Sequence, residues 1–156
     1  MTCVIQRVNS TSVTVDGNTV GSCDKGLLLL LGVWQEDTEK DADLLANKIA
    51  KLRIFEDENG KMNRSVNDVK GSVLSISNFT LCANYRHGNR PDYIQAEKPQ
   101  RANELYEYFT EKLRTLVEGG VQMGMFGADM KIDMSAIGPV TIVMESSKLK
   151  KGKNKL

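Results

Sequence analysis

The chain has 156 residues, of which 40% are hydrophobic and 26% charged, and its net charge is +1. This composition fits one globular domain, and the longest apolar run, Leu27 to Leu31, is far too short to cross a membrane. Three cysteines without a Cys-x-x-Cys pair, and a single histidine, argue against a disulfide framework and a zinc site. Because the N-terminus carries no secretory signal, we expect a cytoplasmic protein.

The positive charge is concentrated at the C-terminus. Residues 146–156 hold five lysines and no acid, so removing those charges from the total of +1 leaves a body of net charge −4. An acidic body does not suit a protein that coats a phosphate backbone, but it suits an enzyme that touches only the end of an RNA. We therefore expect a domain over residues 1–146 and a basic, solvated, disordered tail over residues 147–156.

Strands are predicted first along the chain. Residues 3–8 and 11–15 alternate in character and precede the turn signal Asp16-Gly17-Asn18, which predicts an antiparallel pair. Residues 26–33 form a continuous apolar run, typical of a central strand buried on both faces. Further on, Asn59-Gly60, flanked by Ile54-Phe55 and Met62, predicts a hairpin turn.

Two amphipathic helices are predicted. The first begins at Thr38-x-x-Asp41, which resembles a capping box. Its apolar stripe comprises Ala42, Leu45, Ala46, Ile49 and Leu52. The second begins at Pro99, where a first helical turn tolerates proline, and Gly119-Gly120 ends it. Its stripe comprises Ala102, Leu105, Phe109, Leu113, Leu116 and Val117.

The remaining segments complete the predicted fold. Residues 73–81 form a strand, and residues 83–98 form a long loop. Three short strands follow, at 121–126, 129–134 and 139–145. The pattern predicts a single α+β domain with a mainly antiparallel, barrel-like sheet and two helices.

The polar motif Ser77-Asn78-Phe79-Thr80-Leu81 lies at the end of the predicted strand 73–81. Backbone N–H groups leave the ladder where a strand ends, and such donors can stabilise an oxyanion, an effect worth about 10²–10³ in rate. Ser77 and Thr80 add hydroxyl groups. Serine and threonine at a strand end also commonly satisfy local backbone groups, which is the alternative interpretation.

His87 and Cys82 offer a different chemistry. His87 lies in the loop Tyr85-Arg86-His87-Gly88-Asn89-Arg90, where it can be a solvated side chain, an RNA-backbone contact or a general base. A histidine-assisted thiol hydrolase would need hydrogen-bond reach to Cys82. A buried, inert Cys82 is the interpretation we favour.

Five motifs, taken in order, resemble those of the D-aminoacyl-tRNA deacylases. They are Gln6-Arg7-Val8, Ser77 to Leu81, Gly88-Asn89-Arg90-Pro91, Phe126-Gly127-Ala128-Asp129-Met130 and Ala136-Ile137-Gly138-Pro139-Val140-Thr141. The resemblance runs over residues 1 to 145. It implies a homodimeric enzyme without metal or cofactor that hydrolyses the ester of D-aminoacyl-tRNA, and of glycyl-tRNA mischarged on tRNA-Ala.

The resemblance also implies roles for individual residues. Catalytic roles fall to Ser77, Phe79 and Thr80, with the backbone N–H groups around Phe79 and Thr80 facing the ester carbonyl. Substrate binding falls to Asn78, Leu81, Phe126, Met130, Gly138 and Pro139, and Arg7 braces the Gly-Pro segment. Either the Thr80 hydroxyl or the ribose 2′-hydroxyl of the substrate would assist the reaction.

For Gly138-Pro139 the resemblance implies a cis bond and a position inside the partner subunit's pocket. The segment would receive the α-amino group and leave no room for an L side chain, so that L-aminoacyl esters are rejected by steric exclusion. In this interpretation a Cβ at Gly138 would fill the substrate's space.

Two residues depart from the family pattern. Asn78 stands where the family usually has glutamine, and Ala136 where it usually has asparagine. Together with the lysine tail, these departures motivate the alternatives of a non-catalytic tRNA-binding homologue and of a paralogue with a shifted substrate range.

Overall fold

The computed structural model describes residues 1–150 and shows the α+β fold expected from the sequence. The strands are β1 (Thr2–Val15), β2 (Asn18–Cys23), β3 (Gly26–Gly32), β4 (Phe55–Glu56), β5 (Met62–Arg64), β6 (Ser72–Ser77), β7 (Val121–Met123) and β8 (Lys131–Glu145). The helices are α1 (Glu39–Lys51) and α2 (Pro99–Leu116), with 3₁₀ turns at Phe79–Cys82 and Ser146–Lys148. Both helices and the β4–β5 hairpin confirm the prediction.

The main sheet is organised around β1. One edge of β1 pairs antiparallel with β3 and then with β2, and the other pairs antiparallel with β8 along almost its whole length. Beyond β3 the order continues through β6 to β7, and these two pairings are parallel. The Ser22 N–H on β2 donates to Oε1 of Gln122 on β7 at 2.8 Å. The sheet is therefore a nearly closed, mixed, barrel-like sheet.

The prediction that residues 3–8 and 11–15 form two strands paired with each other is wrong. Both segments belong to the single strand β1, and the hairpin is formed with β2 through Asp16 and Gly17, whose φ angles are 50° and 79°. Asn9 and Ser10, between the two segments, are exposed and lie at an irregularity in the pairing with β8. A bulge needs one extra residue and no turn, so the chain continues in the same direction.

Other strand boundaries also differ from the prediction, and the strand expected over residues 121–126 ends at Met123. Residues 129–134 and 139–145 were expected as separate strands, but β8 is one strand that runs through Gly138-Pro139. Proline is tolerated there because β8 lies at a sheet edge and its missing N–H interrupts little of the ladder. The strand expected over residues 73–81 ends at Ser77, and the polar motif that follows forms a 3₁₀ turn.

The core lies on both faces of β3, as its uniform apolar run predicts. On one face both helices pack against the sheet, and the fully buried side chains there include Leu27, Leu29, Leu31, Leu45, Ile49, Leu105, Phe109 and Leu113. The other face buries Val8, Val13, Cys23, Leu28, Leu74 and Ile76. No helix within residues 1–150 has the length and apolar content that crossing a membrane requires.

A buried polar network joins the N-terminus, α1 and the C-terminal segment. The ammonium group of Met1 donates to Oδ1 of Asp37 at 2.6 Å and to Oγ of Ser146 at 2.7 Å. Asp41 Oδ1 accepts from the Ser146 hydroxyl at 2.7 Å and from Lys150 Nζ at 2.8 Å. The basic tail from residue 147 stays a prediction: Ser147, Lys148 and Lys150 are exposed, although Lys150 contacts Asp41, and residues 151–156 lie outside the described residues.

We expect Asp41→Asn to lower the free energy of unfolding by about 2 kcal/mol at pH 7. Burial would raise the pKa of Asp41, but hydrogen bonds from Lys150, Ser146 and the Thr38 backbone lower it to about 2. A lowered pKa stabilises the fold above about pH 4, and this contribution is lost as the pH falls towards 2.

Urea unfolding from pH 7 down to pH 2.5 measures the Asp41 effect. Asp24→Asn, at an exposed position, removes the same charge as a control. A stability difference between wild type and Asp41→Asn that persists unchanged at pH 2.5 would contradict the assignment.

Candidate active site

The candidate site lies at one edge of the sheet, where three parallel strands end together. β3 ends at Gly32, β6 at Ser77 and β7 at Met123, and all three point in the same direction. The segments that follow them leave the ladder on the same side of the molecule. In open parallel α/β sheets ligands bind beyond the carboxyl ends of the strands, and the three parallel strands of this mixed sheet offer an edge of the same kind.

The polar motif forms a tight turn at this edge. The last ladder bond of β6 runs from the Asn78 N–H to the Leu31 carbonyl at 2.8 Å, and the turn then closes with the Leu81 N–H on the Asn78 carbonyl at 3.3 Å. A Cβ on Gly32 would lie 2.9 Å from Leu81 Cβ and 3.2 Å from Cys82 Sγ. The turn can thus pack directly on the end of β3 only because residue 32 is glycine.

Asn78 holds the turn with its side chain. Its Oδ1 accepts a hydrogen bond from the Thr80 N–H at 3.3 Å and another from the Thr80 hydroxyl at 2.5 Å. This is the interaction of an N-cap residue, for which asparagine is among the preferred types. The shorter amide at position 78 therefore has a defined local role in this chain.

These contacts change which groups are available for an incoming carbonyl. The Thr80 N–H is already bonded to Asn78, whereas no described residue accepts a hydrogen bond from the Phe79 N–H. Phe79 is 57% exposed, Thr80 is exposed, and Ser77, Asn78 and Leu81 are half-buried. The turn therefore presents one unbonded N–H, at Phe79, beside one exposed hydroxyl, at Thr80.

Phe126 and Met130 lie at the same edge, in the connection between β7 and β8. Phe126 is half-buried and contacts Tyr106 of α2, with 6.2 Å between ring centroids. Met130 packs beside Ile76 at the end of β6, because both side chains approach Gly124. Phe126 and Met130 thus lie near the ends of β7 and β6, on opposite faces of the sheet, and their roles in substrate binding stay a prediction.

Gly138 and Pro139 lie elsewhere. Their bond is cis, as predicted, and both residues are exposed on β8 opposite Arg7 of β1. By the strand register, Arg7 is four residues from Cys3, which lies level with Leu31 and Ser77. The Gly138 segment is therefore displaced from Ser77 by about 13 Å along the strands. It is also separated from Ser77 by the three strand spacings from β8 to β6, each about 4.8 Å. Within one chain, Gly138 therefore does not border the Ser77–Leu81 turn.

Gln6 and Arg7 hold the Gly-Pro segment from both sides. Arg7 is 8% exposed, and it donates from Nη1 to the Ile54 carbonyl at 2.9 Å and from Nε to the Ile137 carbonyl at 3.3 Å. Gln6 donates to the Val140 carbonyl at 3.3 Å and accepts from the Thr141 hydroxyl at 2.6 Å. Arg7 thus contacts the segment in the manner that the resemblance implies.

The structure gives a reason within the chain itself for glycine at position 138. Its φ angle is +117°, a region that side-chain-bearing residues rarely adopt. A Cβ there would lie 3.0 Å from the Val140 nitrogen and 3.1 Å from Arg7 Nη2. The added methyl group would therefore collide with Val140 and Arg7 of the same chain, and the expectation that it also projects into substrate space stays a prediction.

The thiol alternative is disfavoured by the surroundings of Cys82. Cys82 is fully buried, and its Sγ donates to the Val33 carbonyl at 3.5 Å. Burial, assisted by the Asp37 carboxylate, raises the pKa of this thiol to about 11. Since the nucleophile would be the thiolate, Cys82 is unsuited to catalysis at neutral pH. His87 lies exposed on the loop that follows.

Two tyrosines near the turn were missed by the sequence analysis. Tyr93 contacts Phe79 edge to face, with ring centroids 4.9 Å apart. Tyr106 is buried in α2 and donates its hydroxyl to the Ser75 carbonyl at 2.6 Å, while the Ser75 hydroxyl bonds Thr110 at 3.0 Å. Ser75 and Thr110 interrupt otherwise apolar patterns, and that interruption was the available signal.

Comparison with known sequences gives a consistent match. The family described as D-Tyr-tRNA(Tyr) deacylase matches residues 4–145. A D-aminoacyl-tRNA deacylase of Thermosipho melanesiensis is 50% identical over 149 residues, 96% of this chain and 99% of that protein. Another, from Bacillus cytotoxicus, is 53% identical over 147 residues, 94% of this chain and 99% of that protein.

Solved structures share the fold. One described as a c-Myc DNA unwinding element binding protein superposes with a TM-score of 0.87 at 39% identity, covering 93% of this chain and 98% of that chain. A probable eukaryotic D-amino acid tRNA deacylase, at 14% identity, has a TM-score of 0.79 over 93% of this chain and 100% of its own, which shows the fold alone. The family match over residues 4–145, together with relatives at about 50% identity over nearly the whole chain, shows that the chain belongs to the D-Tyr-tRNA(Tyr) deacylase family.

Proposed function

We propose that this protein hydrolyses the ester bond of D-aminoacyl-tRNA and releases a free D-amino acid and tRNA. The observation that carries the proposal is the Ser77–Leu81 turn, which offers an unbonded Phe79 N–H and the exposed Thr80 hydroxyl at the open edge of the sheet. The curated relatives at about 50% identity bear the name of this activity. We also infer a cytoplasmic location, where charged tRNA is found.

The chemistry needs few titratable groups, because an aminoacyl ester is already activated. Its leaving group is a ribose hydroxyl that stands beside a second hydroxyl. As water attacks the carbonyl carbon, the Phe79 N–H would donate to the carbonyl oxygen, which gains negative charge. The Thr80 hydroxyl directs its hydrogen to Asn78 Oδ1, so the lone pairs of its oxygen remain available to the ribose 2′-hydroxyl.

A second copy of the chain would complete this pocket. Gly138-Pro139 is exposed and lies away from the Ser77–Leu81 turn of its own chain, so it can reach such a turn only on another copy. No described residue pairs with the outer edge of β8, and that strand exposes Met134 and Val143 by 53% and 60%. These features favour a homodimer in which each β8 faces the other subunit.

Stereochemical selection would follow from the placement of this segment. Arg7 and Gln6 bond the backbone on both sides of Gly138-Pro139 and thereby hold the segment rigid. A firm backbone beside the α-carbon can exclude one side-chain configuration by collision. We propose that it excludes the L side chain, accepts the D side chain, and also accepts glycine, including glycine mischarged on tRNA-Ala.

The wild-type protein is expected to release D-tyrosine from tRNA at least about 100-fold faster than L-tyrosine, a difference of about 2.7 kcal/mol in transition-state binding. Glycyl-tRNA(Ala) should be hydrolysed as well. Single-turnover deacylation with radiolabelled D-tyrosyl-, L-tyrosyl- and glycyl-tRNA measures all three rates. Similar rates on the D and L esters would contradict the exclusion mechanism.

A non-catalytic nucleic-acid-binding homologue is the second candidate. Its support is the 39% identical protein described as a c-Myc DNA unwinding element binding protein, together with the Ala136 and Asn78 departures. The same assay separates the two functions. Tight binding of tRNA without hydrolysis of any ester would favour this alternative over the deacylase.

A further inference from the structure

An exposed loop follows directly after the candidate turn, and its base is firmly closed. Asn84 and Asp92 exchange two backbone hydrogen bonds, of 2.8 and 2.9 Å, and Asn84 Nδ2 donates to Asp92 Oδ2 at 3.0 Å. Between them, residues 85–91 are all exposed. We call these seven residues the arginine loop.

The two arginines of this loop differ from the other five in the chain. Arg7, Arg53, Arg64, Arg101 and Arg114 each donate side-chain hydrogen bonds to acceptors within the protein. Arg86 and Arg90 make no side-chain hydrogen bond and no ion pair with any residue from 1 to 150. A guanidinium group has five donors in a planar fork that matches a phosphate. These two side chains are therefore available to an anionic partner.

The arginine loop also carries an exposed aromatic ring. Tyr85 is 79% exposed and stands next to Arg86 in the chain. Unpartnered arginines beside an accessible ring are typical of surfaces that bind single-stranded nucleic acid, where phosphates contact the cations and bases stack on the rings. The only acidic residue adjoining the loop, Asp92, is already bonded to Asn84.

The arginine loop is linked to the candidate site at both of its ends, by side-chain packing and by the chain itself. Tyr93, immediately after the closing residue Asp92, packs on Phe79 of the Ser77–Leu81 turn at 4.9 Å between centroids. At the other end, only Ala83 separates Asn84 from the 3₁₀ turn. An RNA strand whose last nucleotide enters the turn would have its preceding phosphates close to this loop.

We propose that the arginine loop binds the single-stranded 3′ end of the tRNA acceptor arm, with Arg86 and Arg90 on its phosphates and Tyr85 stacked on an unpaired base. This inference rests on the proposed function, since it takes the esterified nucleotide to lie at the Ser77–Leu81 turn. It also explains how a body with a net charge of −4 holds tRNA: the cations are needed only beside the reacting end.

The test uses substrates that differ only in whether they contain RNA. For the double variant Arg86→Gln/Arg90→Gln, we expect KM for D-tyrosyl-tRNA to rise about 10-fold or more, with kcat nearly unchanged. Hydrolysis of the 3′-ester of D-tyrosine with adenosine alone, which has no preceding phosphate, should proceed as in the wild type. Between about 0.05 M and about 0.2 M salt, the slope of log KM against log salt should fall by about 1.4, the value for two phosphates on a single strand.

A matched control separates local contacts from net charge. Arg53→Gln/Arg64→Gln removes the same two charges from exposed positions beside and within the β4–β5 hairpin, where both side chains have partners of their own. This control should leave KM for D-tyrosyl-tRNA within about twofold of the wild type. Melting temperatures of all variants report whether the fold is retained.

Three outcomes would overturn the arginine-loop proposal. They are an unchanged KM in the double variant, an equal loss with tRNA and with the adenosine ester, and an equal effect of the control pair. Failure of the proposed function is distinct, because the wild type would then hydrolyse neither substrate. In that case the affinity of the same variants for uncharged tRNA decides the loop's role: a loss confined to Arg86→Gln/Arg90→Gln supports it, and unchanged affinity rejects it.

Discussion

Replacement of Gly138 by alanine is expected to lower kcat for D-tyrosyl-tRNA hydrolysis by about 100-fold or more, with a smaller effect on folding. At φ = +117° an alanine is strained, and its Cβ would lie 3.0 Å from the Val140 nitrogen and 3.1 Å from Arg7 Nη2. The segment must therefore shift. A displacement of about 1 Å in a group that positions the substrate can cost about 10²-fold in rate. Because Gly138 and Pro139 are exposed, the same shift opens no part of the core.

Gly60→Ala is the matched control for this variant. Gly60 also has a positive φ, +73°, but a Cβ there would have no neighbour within 4 Å. It should show the cost of backbone strain alone, about 1 kcal/mol in stability with no loss of activity. Urea unfolding and single-turnover kinetics compare the two. Gly138→Ala with wild-type kinetics would contradict the role given to the segment.

Mixed dimers show whether Gly138 serves its own chain or the other one. If each segment completes the neighbouring pocket, a dimer of one Gly138→Ala chain and one Thr80→Val chain contains one pocket with both native residues. Coexpressed, differently tagged chains should then recover about half of the wild-type activity. No recovery in a verified mixed dimer would place Gly138 in the pocket of its own chain.

The helices could be predicted because their signals are local. The capping residues Thr38 and Asp41, and Pro99 at the first position of α2, mark helix starts, and the apolar stripes identify the buried faces. The long strands were divided for a related reason. A bulge near Asn9 and a proline in an edge strand resemble chain breaks in sequence, and only the pairing with a distant strand shows that the chain continues.

The candidate site was predicted unevenly for physical reasons. The motifs single out Ser77 to Leu81, Phe126 and Met130. That these residues lie near one edge of the sheet depends on the parallel pairing of β3, β6 and β7, which no local pattern specifies. Asparagine favours caps of this kind, but the 3₁₀ turn was not predicted. The apolar run before Asn78 forms a strand, and the sequence does not show that this strand ends at Ser77. The packing of Tyr93 on Phe79 depends on how the loop folds back and has no local signal.

The second large effect is expected from Thr80→Val, which replaces the hydroxyl by a methyl group of similar shape. We expect kcat for D-tyrosyl-tRNA hydrolysis to fall about 100-fold, a value within the range for a group that assists proton transfer. The Thr80 hydroxyl is exposed and donates to Asn78 Oδ1 at 2.5 Å, so its oxygen can accept a hydrogen bond from the ribose 2′-hydroxyl. Thr80→Ser keeps this oxygen and should retain most of the activity.

A double comparison with the substrate tests the partnership directly. With the wild type, removal of the 2′-hydroxyl from the terminal adenosine should slow hydrolysis about as much as Thr80→Val does. If the two hydroxyls act together, Thr80→Val should show little further loss on the deoxy substrate, because interacting groups are not additive. Additive losses would mean that Thr80 acts independently of the ribose. Full activity of Thr80→Val on the normal substrate would leave the backbone N–H of Phe79 and the 2′-hydroxyl as the working groups, and would remove the Thr80 side chain from the mechanism.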